Sequence, residues 1–197
     1  AEIKLNIAGV NDLPTIDQLS QLTIDEEKTT FLKLNASDPE QNTISYKAFS
    51  QISEIDTEIK SDTLVMTPKE NYTGESIITV SAHDNISVSG DTTTFKLIVN
   101  NINDAPIIAE IEDDNIEEDS MEKSVMLSAS DVDSKDLIFY VSNDTSAVDA
   151  FITGNKLTYK PIADFFGNTV LQVSVGDSLL FDTTSFTLQI KNIQDTP

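Results

Sequence analysis

The sequence predicts an all-β chain: two tandem seven-stranded Greek-key β-sandwiches arranged end to end. Three observations carry this expectation. An Asp-x-Pro core recurs at Asp12, Asp104 and Asp195, at intervals of 92 and 91 residues, and a fixed period of that kind marks tandem domains. Between the copies, apolar residues alternate with a period of two in about seven short runs bounded by turn residues, the pattern of half-buried strands in a sandwich. No stretch shows a helical period.

The recurring segments are Val10-Asn11-Asp12-Leu13-Pro14, Asn101-Ile102-Asn103-Asp104-Ala105-Pro106 and Ile193-Gln194-Asp195-Thr196-Pro197. The middle copy reads as a joint between two complete repeats, residues 11–102 and 103–197. Residues 1–10 read as the last strand of a preceding repeat, because Glu2-Ile3-Lys4-Leu5-Asn6-Ile7 matches Phe95-Lys96-Leu97-Ile98-Val99 before the middle joint. The start has neither the basic residues nor the continuous apolar core of a signal peptide. The expectation is therefore a fragment of a longer array.

Each repeat opens with an acidic turn, Leu22-Thr23-Ile24-Asp25-Glu26-Glu27 or Asn115-Ile116-Glu117-Glu118-Asp119. An alternating strand follows, with Leu32, Leu34 and Ala36 on one face and Val125, Leu127 and Ala129 as their counterparts. Each runs into an acidic loop, Ser37-Asp38-Pro39-Glu40 or Ser130-Asp131-Val132-Asp133. A third strand is expected around Ile44-Ser45-Tyr46 and Ile138-Phe139-Tyr140. The least similar stretches, residues 50–60 and 142–153, suit an edge strand and its loops. Next come Leu64-Val65-Met66-Thr67-Pro68 and Leu157-Thr158-Tyr159-Lys160-Pro161. The turns Asn71-Tyr72-Thr73-Gly74 and Asp164-Phe165-Phe166-Gly167 call for a glycine at positive φ and send Tyr72 and Phe165 into the core. The sixth strand buries Ile78, Val80 and Ala82, or Leu171, Val173 and Val175, and ends at Asp84 or Asp177. The last buries Phe95, Leu97 and Val99, or Phe186, Leu188 and Ile190. This arrangement is of immunoglobulin type.

Composition excludes several function classes. The chain has no cysteine, hence no disulfide framework, thiolate zinc site or cysteine nucleophile. Its 12 Lys and Arg stand against 34 Asp and Glu, a net charge of −22. That balance opposes binding to nucleic acid or an anionic membrane. No apolar run is long enough for a helical span. His83 is the only histidine, so a Ser-His-Asp triad or a multi-histidine zinc site has no material. Paired carboxylates can hydrolyse glycosides, but these lie at joints and loops, and no tryptophan offers a sugar platform. Asp131-Val132-Asp133-Ser134-Lys135 fails as an EF-hand loop, with Lys135 in place of an acid and strands on both flanks. Asn35, Asn71, Asn85 and Asn143 begin glycosylation sequons, which an Asn- and Thr-rich chain contains by chance. No enzymatic activity is expected.

Four elements recur in order in both repeats: the Asn-Asp-x-Pro joint, the Ile-x-Glu turn, the Ala-Ser-Asp-x-Asp/Glu loop and the Asp closing the sixth strand. In these the chain resembles tandem cadherin-like repeats of large calcium-dependent bacterial surface adhesins, the RTX-adhesin type. The resemblance implies calcium between successive domains. Its ligands would be Glu26 from the first repeat, Asn103 and Asp104 from the linker, Asp131 and Asp133 from the loop of the second repeat, and Asp177 from the end of its sixth strand. Loops leaving one end of a sandwich converge, and calcium takes six to eight hard oxygen ligands in flexible geometry. Asn101 replaces the usual linker aspartate, Ala105 replaces a second asparagine, and Glu70 and Asn71 occupy the place of the Asp-Arg-Glu motif. One or two ions are therefore expected at the joint, not three. Weaker half-sites are expected at Asp12, Asp38, Glu40 and Asp84, and at Glu118, Asp164 and Asp195.

The functional expectation is a monomeric, calcium-stiffened extender of a bacterial cell-surface or secreted adhesin. It would project a distal binding domain for cell adhesion or biofilm formation, with neighbouring repeats as its contacts. Two alternatives stay open: the repeats themselves bind a like repeat or a polysaccharide on another cell, or they are an accessory module of a secreted carbohydrate-active enzyme.

Overall fold

In a computed structural model, residues 9–87 and 89–194 are described. The expected strand at Ile3 to Ile7 and the closing segment with Asp195 fall outside them. The chain divides into two compact units, Ala1–Ile102 and Asn103–Pro197. Among the described residues there is no helix, so none is long and apolar enough to cross a membrane.

Unit 1 comprises β1 (Thr15–Ile16), β2 (Leu22–Asp25), β3 (Thr30–Lys33), β4 (Ala36–Ser37), β5 (Ser45–Ser50), β6 (Ile55–Lys60), β7 (Thr63–Pro68), β8 (Gly74–His83) and β9 (Asp91–Asn100). A four-stranded sheet, β2-β9-β8-β5, faces a three-stranded one, β3-β7-β6, while β1 pairs with β4 alone. The pairing β2–β9 is parallel and the rest are antiparallel. Unit 2 repeats the plan with β10 (Ile107–Ile108), β11 (Asp114–Glu117), β12 (Lys123–Met126), β13 (Ala129–Ser130), β14 (Ile138–Ser142), β15 (Val148–Thr153), β16 (Lys156–Pro161), β17 (Gly167–Gly176) and β18 (Phe181–Lys191). Its sheets are β11-β18-β17-β14 and β12-β16-β15, with β10 paired to β13.

Seven strands account for each sandwich once two breaks are recognised. The first strand splits because one edge segment cannot pair with both sheets. It starts beside β4 and then crosses over residues 17–21 to lie beside β9. The second strand splits for a related reason. The sequence alternates without interruption from Leu32 to Ala36, but the partner changes. Leu34 N–H donates to Asp62 C=O at 2.7 Å, and Asn35 C=O accepts Asp17 N–H at 3.0 Å. Side-chain alternation survives the change: Leu34 is buried, with Leu32 and Ala36 packed against the same core.

The cores lie between the sheets. Ile78, Val80, Ala82 and Leu97 have no exposed surface in unit 1, nor do Leu171, Val173, Val175 and Leu188 in unit 2. The expected period of two sets this directly, since every second residue of β8, β9, β17 and β18 points inward. Gly74 and Gly167 take φ of +141° and +135°, and Tyr72 and Phe165 pack against the two cores. The variable stretches supply β6 and β15, each at a sheet edge.

One polar group distinguishes the units. In unit 2, Tyr159 Oη donates to Asp114 Oδ2 at 2.5 Å and Lys123 Nζ to Oδ1 at 2.5 Å. The corresponding residues of unit 1 are Met66, Leu22 and Thr30. Burial pushes the Asp114 carboxyl up, but the hydrogen bonds from Lys123 and Tyr159 outweigh it and hold the pKa below the ordinary 3.8. Burial, then the bond to Asp114 and its charge, push the Tyr159 hydroxyl far above its ordinary 10.0.

Two predictions follow from the packing and from this group. Leu171→Ala should lower the stability of unit 2 by about 2–5 kcal/mol in urea unfolding, because it empties a site with no exposed surface. A depressed carboxyl pKa stabilises above its unfolded value and is lost as pH falls through the native one. A raised tyrosine pKa stabilises below its unfolded value and is lost as pH rises through the native one. Unit 2 should thus lose stability below pH 3.8 through Asp114 and above pH 10.0 through Tyr159. Tyr159→Phe should abolish the alkaline part and cost about 1–3 kcal/mol at neutral pH, as followed by unfolding at a series of pH values.

Candidate metal centre

The hairpins β8–β9 and β17–β18 run the length of each sandwich, roughly 30 Å for ten residues. Each hairpin gives its unit two poles. The turn joining the strands lies at one pole, and the end of the last strand lies at the other. Almost every sequence-predicted site residue sits at one of these poles.

At the first pole of unit 2, Asn103 stands between two groups. Its side-chain N–H donates to Asp177 Oδ2 at 2.7 Å and to Asp104 C=O at 2.9 Å. Asp104 N–H donates to Asp133 Oδ2 at 2.7 Å. Asp131 Oδ1 accepts from the N–H groups of Asp133 and Ser134, both at 2.7 Å. Asp177 Oδ1 accepts from Leu179 and Leu180 at 2.7 and 2.8 Å. Five predicted ligands of unit 2 are thus linked through backbone and amide groups. Glu26, the sixth, belongs to unit 1.

Unit 1 repeats this arrangement. Asn11 donates to Asp84 Oδ2 at 2.5 Å and to Asp12 C=O at 3.0 Å. Asp12 N–H donates to Glu40 Oε2 at 3.2 Å. Asp38 Oδ1 accepts from Glu40 and Asn42 N–H at 3.0 Å each, and Asp84 Oδ1 from Ile86 and Ser87 at 2.9 Å each. The side-chain N–H of Asn11 followed by the backbone N–H groups of Ser87 and Ile86 hold Asp84 below its ordinary pKa. The N–H groups of Leu180 and Leu179, then the Asn103 amide, do the same for Asp177.

At the second pole sits a buried glutamate. Glu26 and Glu118 are each 3% exposed. Glu26 Oε1 accepts the Ile102 N–H at 2.7 Å. Glu118 Oε1 accepts Ile193 N–H at 2.7 Å and the Asn192 amide at 2.8 Å. Asp164 occupies a turn at this end of unit 2, with φ of +61°. It is exposed and makes no hydrogen bond to Glu118. Asp195 lies outside the described residues.

Sequence reasoning missed Asp91 and Asp182. Each accepts the N–H of the buried residue of the first strand of its sandwich, Ile16 at 3.0 Å and Ile108 at 2.9 Å. The neighbouring N–H groups of Thr92 and Thr183 bond to their other oxygens at 2.8 Å. The signal was present: Asp-Thr-Thr recurs at Asp91 and Asp182, at the interval of the joints.

Among the described residues no three acidic or histidine side chains are already drawn together as a metal site. The donor chemistry nevertheless suits a hard cation. It consists of carboxylates, amides and carbonyls, with no thiolate or imidazole. One observation favours a fit. Asp38 Oδ2, Asp104 Oδ2 and Asp131 Oδ2 are buried oxygens with no hydrogen-bond partner. Asp38 and Asp131 are equivalent residues, so the same carboxylate oxygen is left over in both units. Buried polar atoms are seldom orphaned, and a buried carboxylate oxygen without a partner is costly.

The bacterial Ig domain family matches residues 11–99 and 103–191. No curated protein matches the chain. Among solved structures, human protocadherin-24 EC1-2 superposes with a TM-score of 0.55 at 12% identity, covering 93% of this chain and 100% of that one. Drosophila N-cadherin EC1-3 gives 0.41 at 13% identity over 93% and 69%. An endo-fucoidan hydrolase of glycoside hydrolase family 107 gives 0.41 at 15% identity, covering 98% of this chain, which spans 31% of that hydrolase. The protocadherin likeness bears on the fold alone.

The buried glutamates make a structural prediction separate from any metal. Glu26→Ala should leave the Ile102 N–H without its acceptor and destabilise the β2–β9 end of unit 1 by about 1–3 kcal/mol. The loss should persist in EDTA, read as faster amide hydrogen exchange at the ends of β2 and β9.

Proposed function

Since the chain belongs to the bacterial Ig domain family, we propose that it is a non-catalytic, calcium-binding spacer in a bacterial surface or secreted adhesin. The observation that carries this reading is the orphaned carboxylate oxygen repeated at Asp38 and Asp131, with a third at Asp104. When bound, calcium supplies a divalent charge and accepts six to eight oxygen ligands in flexible geometry.

In unit 2, Asp104, Asp131, Asp133 and Asp177 would hold the ion, with Asn103 positioning Asp177. In unit 1 the same roles fall to Asp12, Asp38, Glu40, Asp84 and Asn11. Glu26 holds the linker backbone at Ile102 to unit 1, while Asn103 and Asp104 tie the next residues to unit 2. The linker is thereby held from both sides within a few residues. Neutralising the acids on its second side would stiffen it, and a stiff array of such units would project a distal binding domain. At millimolar calcium, a dissociation constant on the order of 10⁻⁴ M would stabilise the bound form by about 1.4 kcal/mol.

Small-angle X-ray scattering in millimolar calcium and in EDTA tests the mechanical part. Wild type should change from a stiff, extended scatterer to a flexible one on chelation. Calorimetric calcium titration tests the site. Asp131→Asn keeps the shape that accepts the Asp133 and Ser134 N–H groups but removes the charge, and should weaken binding at least about tenfold, or 1.4 kcal/mol. Scattering indifferent to EDTA together with no calcium heat would reject the reading.

A further inference from the structure

We propose that the outer edge of β12 in unit 2 is a docking site for an extended, cationic peptide strand from another protein. The inference is independent of the calcium reading. It begins with a vacancy in the hydrogen-bond row. Leu127 N–H donates to Asn155 C=O at 2.8 Å, and the register pairs Val125 with Leu157 and Lys123 with Tyr159. In an antiparallel ladder, alternate residues turn their backbone groups the other way. Those of Ser124 and Met126 therefore face away from β16. The same row continues to Ser128, whose C=O accepts Ala109 N–H at 2.8 Å. There β10 has filled the edge, but the chain departs at Glu110 to join β18. Ser124 and Met126 keep no backbone partner on that side among the described residues.

The departure opens a cavity of about 440 Å³ between β12 and residues 109–113, within the size range of small ligand pockets. Tyr159 and Phe186 form its floor, with ring centroids 5.9 Å apart. An extended strand added beside β12 presents every second side chain toward this floor, so backbone bonds would supply affinity and the cavity would select an apolar side chain. Exposed main-chain edges of this kind are templates for strand addition.

Charge selects the occupant. Glu110, Glu112 and Asp113 line the departing segment and are exposed. Lys123 lies across the cavity, but its charge is met by Asp114. The rim is therefore net acidic, and a strand alternating apolar residues with lysine or arginine complements it. A second copy of this chain, at net charge −22, does not. Unit 1 lacks the features that define the site. Leu22, Thr30 and Met66 replace Asp114, Lys123 and Tyr159, and the segment 17–21 carries only Asp17, which accepts from Asn35 at 2.8 Å.

The test uses the 197-residue chain in EDTA with a synthetic probe, acetyl-Lys-Val-Lys-Val-Lys-Val-Lys-amide, and the same peptide with Glu for Lys. Amide hydrogen exchange is followed residue by residue by NMR. The lysine peptide should slow exchange at Ser124 and Met126 by at least about tenfold, and the glutamate peptide should have no effect. Met126→Pro removes one outward N–H at a position where an edge strand tolerates proline, and should abolish the protection. Lys33→Pro, its counterpart in unit 1, should not. Should Met126→Pro disturb the fold, Glu112→Lys on the exposed rim serves in its place and should weaken the lysine peptide about tenfold. No protection at millimolar peptide, protection only at other strands, or equal binding of both peptides would each overturn the proposal. Protection that rises with protein concentration without peptide would overturn it in favour of pairing between copies.

Discussion

Carboxylates that accept backbone N–H groups hold the chain wherever it enters or leaves a sandwich. Asp91 and Asp182 take the N–H groups of Ile16 and Ile108 as the first strands begin. Glu26 and Glu118 take those of Ile102 and Ile193 as the last strands end. Ile102 and Ile193 lie past the ends of their ladders, and Ile16 and Ile108 turn these N–H groups away from the one strand each is paired with. The donors therefore need side-chain acceptors or water. A carboxylate does this more strongly than a neutral acceptor. The same device holds the linker backbone to each unit, because the N–H groups of Ile102 and Asp104 are accepted by the carboxylates of Glu26 and Asp133.

This solution concentrates negative charge at the poles. The chain bears 34 acidic residues, and those that hold the entering and leaving chain lie near the joints. Each accepts what the backbone offers, usually through one oxygen. At Asp38 and Asp131 the first oxygen accepts two N–H groups while the second is buried without a partner. A fold held together by hydrogen bonding alone gains nothing from burying that second oxygen twice, at equivalent positions. The proposed cation would give it a purpose. The orphaned oxygens are thus a more discriminating sign than the acidity of the loops, which surface charge alone would produce.

Most of the fold was legible because burial is strictly periodic in the long strands. Val80, Leu97, Val173 and Leu188 alternate with exposed or half-exposed residues, and only a strand does this. The splitting of the second strand was not legible. From Leu32 to Ala36 the side chains obey one period while the backbone changes partners, and sequence records side chains, not ladders. The candidate site was readable where it repeats, as at Asn11 and Asn103 or Asp84 and Asp177. Asp91 and Asp182 repeat as faithfully, but they sit in the first residues of a strand, where an acid reads as solvated surface until its N–H partner is known. Glu26 and Glu118 were readable as acids, but their burial was not, since their partners Ile102, Asn192 and Ile193 come from the far end of each repeat.

The departure of the first strand from one sheet to the other is common to both units, and what lines the gap it leaves differs. In unit 1 the counterparts of the cavity triad are Leu22, Thr30 and Met66, so no charged group needs a partner. In unit 2 the triad Asp114, Lys123 and Tyr159 is mutually satisfied and stands beside a hydrophobic floor. Stability does not require the exchange, because the uncharged version closes the same fold a domain earlier. A buried polar network costs more to build than packed hydrophobic side chains unless every member is satisfied, and here it is satisfied at the margin of an open groove. Two domains with one backbone plan thus offer different surfaces at the same crossing, and a repeat serving only as a spacer has no reason to differ at that point.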